Sequence, residues 1–154
     1  MLLTNHTLTG VVLGLTIDNP VVLAPVAVAS HLALDVTPHF GIRLREDWYH
    51  DRRFIIFGTV DVACSTAVTV AACLIWPQRA VNILVGVIGA DLPDFTYIPL
   101  VLFGKARMER WLPFYRPMIN FLSQIQWYER PPGLITEVVW AVAMVLVLNA
   151  RLPS

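Results

Sequence analysis

Long apolar runs separated by short polar stretches make up most of the chain. They predict helices over about 2–17, 20–38, 54–76, 80–103 and 133–150. Asp18, Asn19 and Pro20 predict a helix end followed by a helix start, because Asp and Asn cap helices and proline suits a first turn. The three later runs approach or exceed the roughly 20 residues that cross a bilayer. The pattern therefore predicts an all-α bundle.

The composition places this bundle in a membrane. Of 154 residues, 56% are apolar and only 14% are charged, whereas a soluble domain carries roughly 25% charged residues. We predict one integral membrane domain over 1–154 with four to five membrane helices; whether 2–17 crosses fully or re-enters stays open. The membrane lipid bilayer is therefore the expected partner. Basic and acidic residues balance at eleven each, so no nucleic acid is expected.

The segment 104–132 has a different character, since aromatic and basic side chains are interspersed along it. Such a segment is typical of an amphipathic stretch lying along the membrane surface. The loop 40–53 is also rich in arginine. By the positive-inside rule, both basic segments are predicted to be cytoplasmic.

Ionisable residues stand out within the apolar runs. His31, Asp35 and His39 follow one another at intervals of four, which places them on one stripe of a helix. Uncompensated ionisable groups inside a membrane are costly and usually functional. This stripe is the first indication of a site.

The predicted topology brings the other ionisable groups to the same depth. At 1.5 Å per residue, each lies about 17 to 24 Å from the outer end of its helix. A shared polar cavity in the cytoplasmic half explains such a layer better than unrelated structural roles for each residue do. Its predicted members are His6, His31, Asp35, Asp61, Asp91, Asp94 and Glu137, with His39 at the rim.

Imidazoles and carboxylates without thiolates suit a divalent metal, with zinc expected and manganese or iron as alternatives. The candidate ligands are His6, His31, Asp35, His39, Asp91 and Asp94. Asp61 and Glu137 are the candidate catalytic residues, either orienting ligands or acting as a general base. A metal held in such a site would activate water for attack on a phosphoester.

Each of these residues also has a structural explanation. His6 is compatible with an ordinary buried histidine, and the His31 stripe with a polar helix end at the headgroups. Asp91 and Asp94 are compatible with a polar helix break. Asp61 is compatible with a bond to a neighbouring helix, and Glu137 with a place among the headgroups.

Three short motifs resemble a known family. They are His6 with Gly10 four residues later, the string His31-Leu-Ala-Leu-Asp35-Val-Thr-Pro38-His39, and Gly89-Ala-Asp-Leu-Pro93-Asp94. Together they resemble the bacterial inner-membrane metal-dependent hydrolases, which are similar to the zinc-dependent phospholipase C and nuclease superfamily. In that family the Pro-Asp motif usually precedes the His-x-x-x-Asp motif, whereas here it follows.

The resemblance implies a helical protein of the prokaryotic inner membrane that hydrolyses phosphodiesters with clustered zinc. It implies His6, His31, Asp35 and Asp94 as ligands, with His39 and Asp91 joining them. The leading hypothesis is a membrane hydrolase that cleaves a lipid-like phosphoester at the cytoplasmic side.

Two alternatives accompany this hypothesis. The first is a small transporter subunit that translocates protons or cations, and the second is a structural subunit braced by a metal. Several arginines are candidates for pairing with a phosphate, although topology alone also explains them: Arg43, Arg45, Arg52, Arg53 and Arg116. A homo-oligomer is left open.

Overall fold

The computed structural model describes residues 1–41, 51–127 and 132–152; Arg43 and Arg45 lie outside them. Within these ranges the regular elements are helices, and no strand occurs. A short 3₁₀ turn, Pro77–Arg79, joins α3 to α4. The α-helices are α1 (Leu3–Thr16), α2 (Pro20–Asp35), α3 (Arg52–Ile75), α4 (Ala80–Phe95), α5 (Ile98–Phe103), α6 (Lys105–Trp111), α7 (Tyr115–Ile125) and α8 (Pro132–Asn149). The predicted all-helical class is confirmed.

The turn between α1 and α2 forms where the sequence places it. The Asn19 side chain accepts a hydrogen bond from the Val21 amide at 2.9 Å, and Pro20 begins α2. Helix α2 ends at Asp35, earlier than the predicted residue 38. The reason is Pro38, which disfavours helical geometry in the preceding residue.

The single helix predicted over 80–103 is two helices in the structure. Helix α4 ends at Phe95 and α5 begins at Ile98. Pro93 lies inside the last turn of α4, and Pro99 lies in the first turn of α5. Proline cannot donate the backbone hydrogen bond that continues a helix, but it is tolerated at a helix start. Two prolines six positions apart therefore favour a break.

Two of the described helices, α3 and α8, are long and apolar enough to cross a membrane. They contain 24 and 18 residues, each with a mean hydropathy of 1.8. Only 6% and 11% of their most apolar windows are buried, so neither is the core helix of a folded domain. Helix α2 is apolar but has 16 residues. The predicted four to five spans are therefore not confirmed by helix length.

Helix α1 lies at the centre and packs against α4, α3, α8 and α2. Its contact with α4 is unusually close because glycines face each other. A Cβ atom added to Gly10 would lie 2.6 Å from the Gly86 carbonyl oxygen, and one added to Gly14 would lie 2.6 Å from that of Asn82. Small residues four positions apart allow such close helix approach in membrane proteins.

The predicted surface segment contains α6 and α7, which fold back on α5. Leu100, Met108 and Tyr115 form a small buried cluster there. The Tyr115 hydroxyl donates to the Thr96 carbonyl at 2.8 Å. Outside this cluster the segment exposes large apolar side chains, namely Trp111, Leu112, Phe114, Phe121 and Trp127. Its location at a membrane surface stays a prediction.

Candidate metal centre

Three helices bring potential metal ligands together at one end of the bundle. His6 of α1, His31 of α2 and Asp94 of α4 each offer a ligand atom, and these atoms all lie within 4.8 Å of one another. The two histidines are almost fully buried, whereas 28% of the Asp94 side chain is exposed. The group therefore has an enclosed imidazole side and a more open carboxylate side.

Asp35 joins this group through both of its oxygen atoms. Oδ1 lies 3.3 Å from His6 Nε2, and Oδ2 lies 3.1 Å from His31 Nε2. His31 and Asp35 meet because they are one turn apart on α2. The His6 and His31 rings stack with centroids 3.8 Å apart, so one carboxylate spans two parallel imidazoles.

The orientation of His31 is set by the backbone of α4. Its Nδ1 lies 2.6 Å from the Ala90 carbonyl oxygen, which can only accept, so we assign the proton to Nδ1. Nε2 then faces Asp35, with Asp94 Oδ1 at 3.8 Å. In this tautomer the lone pair of His31 Nε2 points at the two carboxylates and repels them. A cation, or a second proton on the ring, is required between Nε2 and the carboxylates to remove this repulsion. Metal-binding histidines typically donate one ring N–H to a carbonyl oxygen while the other ring nitrogen faces the metal site.

His6 is buried without conventional hydrogen bonds. Among the described residues, neither of its ring nitrogens has a hydrogen-bond partner. The 3.3 Å approach of Asp35 is close, but it does not have hydrogen-bond geometry. Leaving a buried polar group unsatisfied costs about 1–3 kcal/mol. A metal ion shared with His31 and Asp94 would satisfy one of these nitrogens.

Two further groups approach Asp35. The Met1 amine lies 2.7 Å from Oδ1, and the Gln126 amide nitrogen lies 3.4 Å from Oδ2. Two backbone hydrogen bonds form in the same region. The Trp127 amide donates to the Asp35 carbonyl, and the His39 amide donates to the Trp127 carbonyl. The end of α2 is therefore held by the segment that follows α7.

His39 is buried beside the group of three but does not belong to it. Its Nδ1 lies 2.8 Å from the Thr37 carbonyl oxygen, to which it donates. Burial lowers the pKa of His39 below its usual value. The ring is accordingly neutral at neutral pH, the state that a metal ligand requires. Its assignment as a ligand stays a prediction.

Asp91, another predicted ligand, lies deeper in the bundle and forms a separate polar cluster. Its Oδ2 accepts a hydrogen bond from the Thr7 hydroxyl at 2.9 Å, and the Thr7 and Ser65 hydroxyls are 2.5 Å apart. Neither Thr7 nor Ser65 is among the site residues predicted from the sequence. Their positions carried a signal, since Thr7 follows His6 and Ser65 is one helical turn after Asp61.

The two predicted catalytic residues lie at the start of α1. Asp61 of α3 accepts the Leu3 and Thr4 amides at 2.8 and 3.0 Å. Glu137 of α8 is 2% exposed, and it accepts the Leu2 amide at 3.1 Å. The sequence position of Asp61 has two interpretations, a catalytic role and a bond to a neighbouring helix, and these hydrogen bonds correspond to the second. Glu137 is enclosed between α8 and the start of α1, and a general-base role for either residue stays a prediction.

The geometry thus gathers His6, His31, Asp35 and Asp94 and places the other predicted residues around them. Two imidazoles with carboxylates form a donor set suited to zinc, manganese or iron. The opposite end of the bundle has a different polar feature, an exposed ion pair between Asp18 and Arg79.

Comparison of the chain with protein-family profiles, curated proteins and solved structures finds no match.

Proposed function

We propose that the protein is an integral membrane hydrolase with a divalent metal held by His6, His31 and Asp94. The observation that carries the proposal is the convergence of these three ligand atoms within 4.8 Å from three different helices. Asp35 supplies a further carboxylate between the two imidazoles. Zinc is the expected ion, with manganese and iron as alternatives.

The exposed apolar surface supports a membrane location. Helices α3 and α8 have spanning length yet bury little of their apolar windows. On our proposal α1, α2 and α4 complete the bundle. With 14, 16 and 16 residues, they are about 21 to 24 Å long, shorter than the roughly 30 Å hydrocarbon core. They are therefore expected to end below one headgroup layer.

The site lies at the ends of these short helices. His6 is in the first turns of α1, His31 is near the C-terminal end of α2, and Asp94 is in the last turn of α4. A site at this depth is accessible from the headgroup region of one leaflet. We infer that the substrate is a phosphoester with an apolar tail, entering from the lipid. By the positive-inside rule this leaflet is cytoplasmic.

The residues of the site have distinct roles in the proposed reaction. A divalent metal supplies Lewis-acid activation of a phosphoryl oxygen and of water. Ala90 holds the His31 ring in its ligand orientation, and Asp35 keeps the two imidazoles together. Asp94 is the partly exposed ligand, so we assign substrate approach to its side of the group. Arg52 and Arg53 are exposed at the start of α3 and are candidates for pairing with the phosphate.

One observation favours the transporter alternative. The Thr7, Ser65 and Asp91 cluster extends the polar groups from the metal centre towards the middle of the bundle. A conduit for protons or cations requires polar groups through the membrane. The same acids and imidazoles would then relay the transported ion rather than support hydrolysis.

The two functions predict different results in reconstituted liposomes. We expect the protein, purified without added metal, to contain a divalent ion and to release head groups from phospholipid vesicles. Chelation should abolish release, and added zinc should restore it, because the ion activates both water and phosphate. The Asp18→Asn variant, altered at the opposite exposed end, is the matched control and should behave like the parent protein.

Elemental analysis and a phosphate or head-group assay measure these outcomes. Purified protein without metal, or hydrolysis that is insensitive to chelation, would contradict the proposal. Ion flux without turnover would instead support the transporter.

A further inference from the structure

Helix α1 begins without a capping side chain of its own. Its N-cap residue is Leu2, which has no polar side-chain atom. The first amides of a helix have no partner within that helix. Ser, Thr, Asp or Asn normally satisfies one of them from the N-cap position. In this protein, carboxylates from two other helices do so.

Asp61 of α3 holds the first turn of α1 through two backbone amides. Its Oδ2 accepts the Leu3 amide at 2.8 Å, and its Oδ1 accepts the Thr4 amide at 3.0 Å. The Thr4 hydroxyl also donates to Oδ1 at 2.5 Å. Both oxygens of Asp61 are therefore engaged by the first turn of α1.

Glu137 of α8 holds the same turn from another side. Its Oε1 and Oε2 lie 3.1 and 3.3 Å from the Leu2 amide nitrogen. The Asn5 side-chain amide donates to Oε2 at 2.5 Å and to the Glu137 carbonyl at 3.1 Å. Thr4 and Asn5 are the two residues immediately before His6, and each is tied to a different helix.

We propose that Asp61 and Glu137 are positioning residues that set the place and rotation of His6 in the metal centre. The inference rests on the proposed function. Together the two carboxylates fix the axial position of α1 and the direction of its first turn. Negative charge is also favourable at a helix N-terminus. They act on the metal through α1, since their oxygens are occupied by Leu2, Leu3, Thr4 and Asn5.

Amide and alanine substitutions separate this role from that of a general base. Asparagine keeps one acceptor oxygen, replaces the other with an NH2 donor that would face a backbone amide of α1, and cannot accept a proton at neutral pH. Asp61→Asn should therefore weaken zinc binding, but less than Asp61→Ala does. Asp61→Ala should weaken it by about 10- to 100-fold, as loss of other outer-shell partners does. Glu137→Gln should likewise weaken zinc binding less than Glu137→Ala does.

The measurements are zinc titration of the whole protein in detergent and the visible spectrum of its cobalt form. The spectrum reports the ligand geometry, so Asp61→Ala should change it more than Asp61→Asn does. Asp51→Ala is the matched control, because Asp51 caps α3 by accepting the Arg53 amide at an exposed site. It removes a cap without touching α1 and should leave affinity and spectrum unchanged.

A second variant decides the question if Asp61→Ala does not fold. Thr4→Val keeps the shape of the side chain but removes its hydrogen bond to Asp61, and it should weaken zinc binding several-fold. Parent-like affinity in the folded Asp61→Ala or Thr4→Val protein would overturn the positioning role alone. Loss of hydrolysis in Asp61→Asn with unchanged affinity would also overturn it, in favour of a general base. A parent protein that binds no metal would overturn both this inference and the proposed function.

Discussion

Replacing His31 with alanine is expected to remove the metal ion and the hydrolytic activity together. The substitution deletes a proposed ligand whose Nε2 faces Asp35 and Asp94. It also removes the bond from Nδ1 to the Ala90 carbonyl. Because loss of an outer-shell partner alone costs 10- to 100-fold in affinity, we expect more than about 100-fold here.

Elemental analysis and zinc titration of His31→Ala measure this effect, with head-group release as the activity assay. Asp18→Ala is the control, since Asp18 is exposed at the far end of α1, where it pairs with Arg79. If the folded His31→Ala protein retained the ion at full stoichiometry and affinity, His31 would belong to an ordinary helix face. The proposed ligand set would then be wrong.

Replacing Gly10 with alanine is expected to destabilise the protein strongly. The new Cβ would lie 2.6 Å from the Gly86 carbonyl oxygen and 2.8 Å from the Val87 Cα atom. Both are backbone atoms that cannot move aside without separating α1 from α4. Overpacking in a well-packed core commonly costs 1–3 kcal/mol, and we expect about 3 kcal/mol or more because backbone is displaced. Since His6 and Asp94 lie on these two helices, metal affinity should fall as well.

The Gly58→Ala variant is the matched control. Gly58 lies within α3, and a Cβ atom there would meet nothing within 4 Å. Alanine in a helix interior is favoured over glycine by about 0.5–1 kcal/mol, so this variant should be as stable as the parent or slightly more so. Reversible unfolding in detergent, followed by circular dichroism, compares the two. Equal stability of Gly10→Ala and Gly58→Ala would contradict the close α1–α4 contact.

The local part of the candidate metal centre was predictable from sequence. His31 and Asp35 are four residues apart, and a helix places such residues on one face. The structure has them on α2 with Nε2 and Oδ2 3.1 Å apart. Their separation depends only on helical geometry, which the apolar pattern around them predicts.

The remaining members depend on how helices pack. His6 and Asp94 approach His31 because glycines let α1 and α4 touch, and because α2 lies against α4. The predicted membrane depth puts all these residues in one layer, but depth does not define which helices are neighbours. Asp91 illustrates the difference, since it shares the predicted layer yet bonds to Thr7, whose hydroxyl lies against that of Ser65.

Asp61 and Glu137 show the same limit for chemical role. As isolated carboxylates in apolar helices they are predicted either to orient ligands or to act as a general base. Only the tertiary structure places them against the first turn of α1, where they accept its amides. A sequence pattern reports burial and spacing along one helix. It does not report which backbone group from another helix meets a side chain.

The sequence by itself determined the helical class, the turn at Asn19 and Pro20, and the His31–Asp35 pair, because these follow from periodicity and local geometry. The tertiary structure alone decided which predicted members of the layer meet, namely His6 and Asp94 with that pair, and which backbone groups Asp61 and Glu137 contact. These features depend on contacts between distant segments. Their energies come from close glycine packing and from buried hydrogen bonds that form only once the helices have assembled.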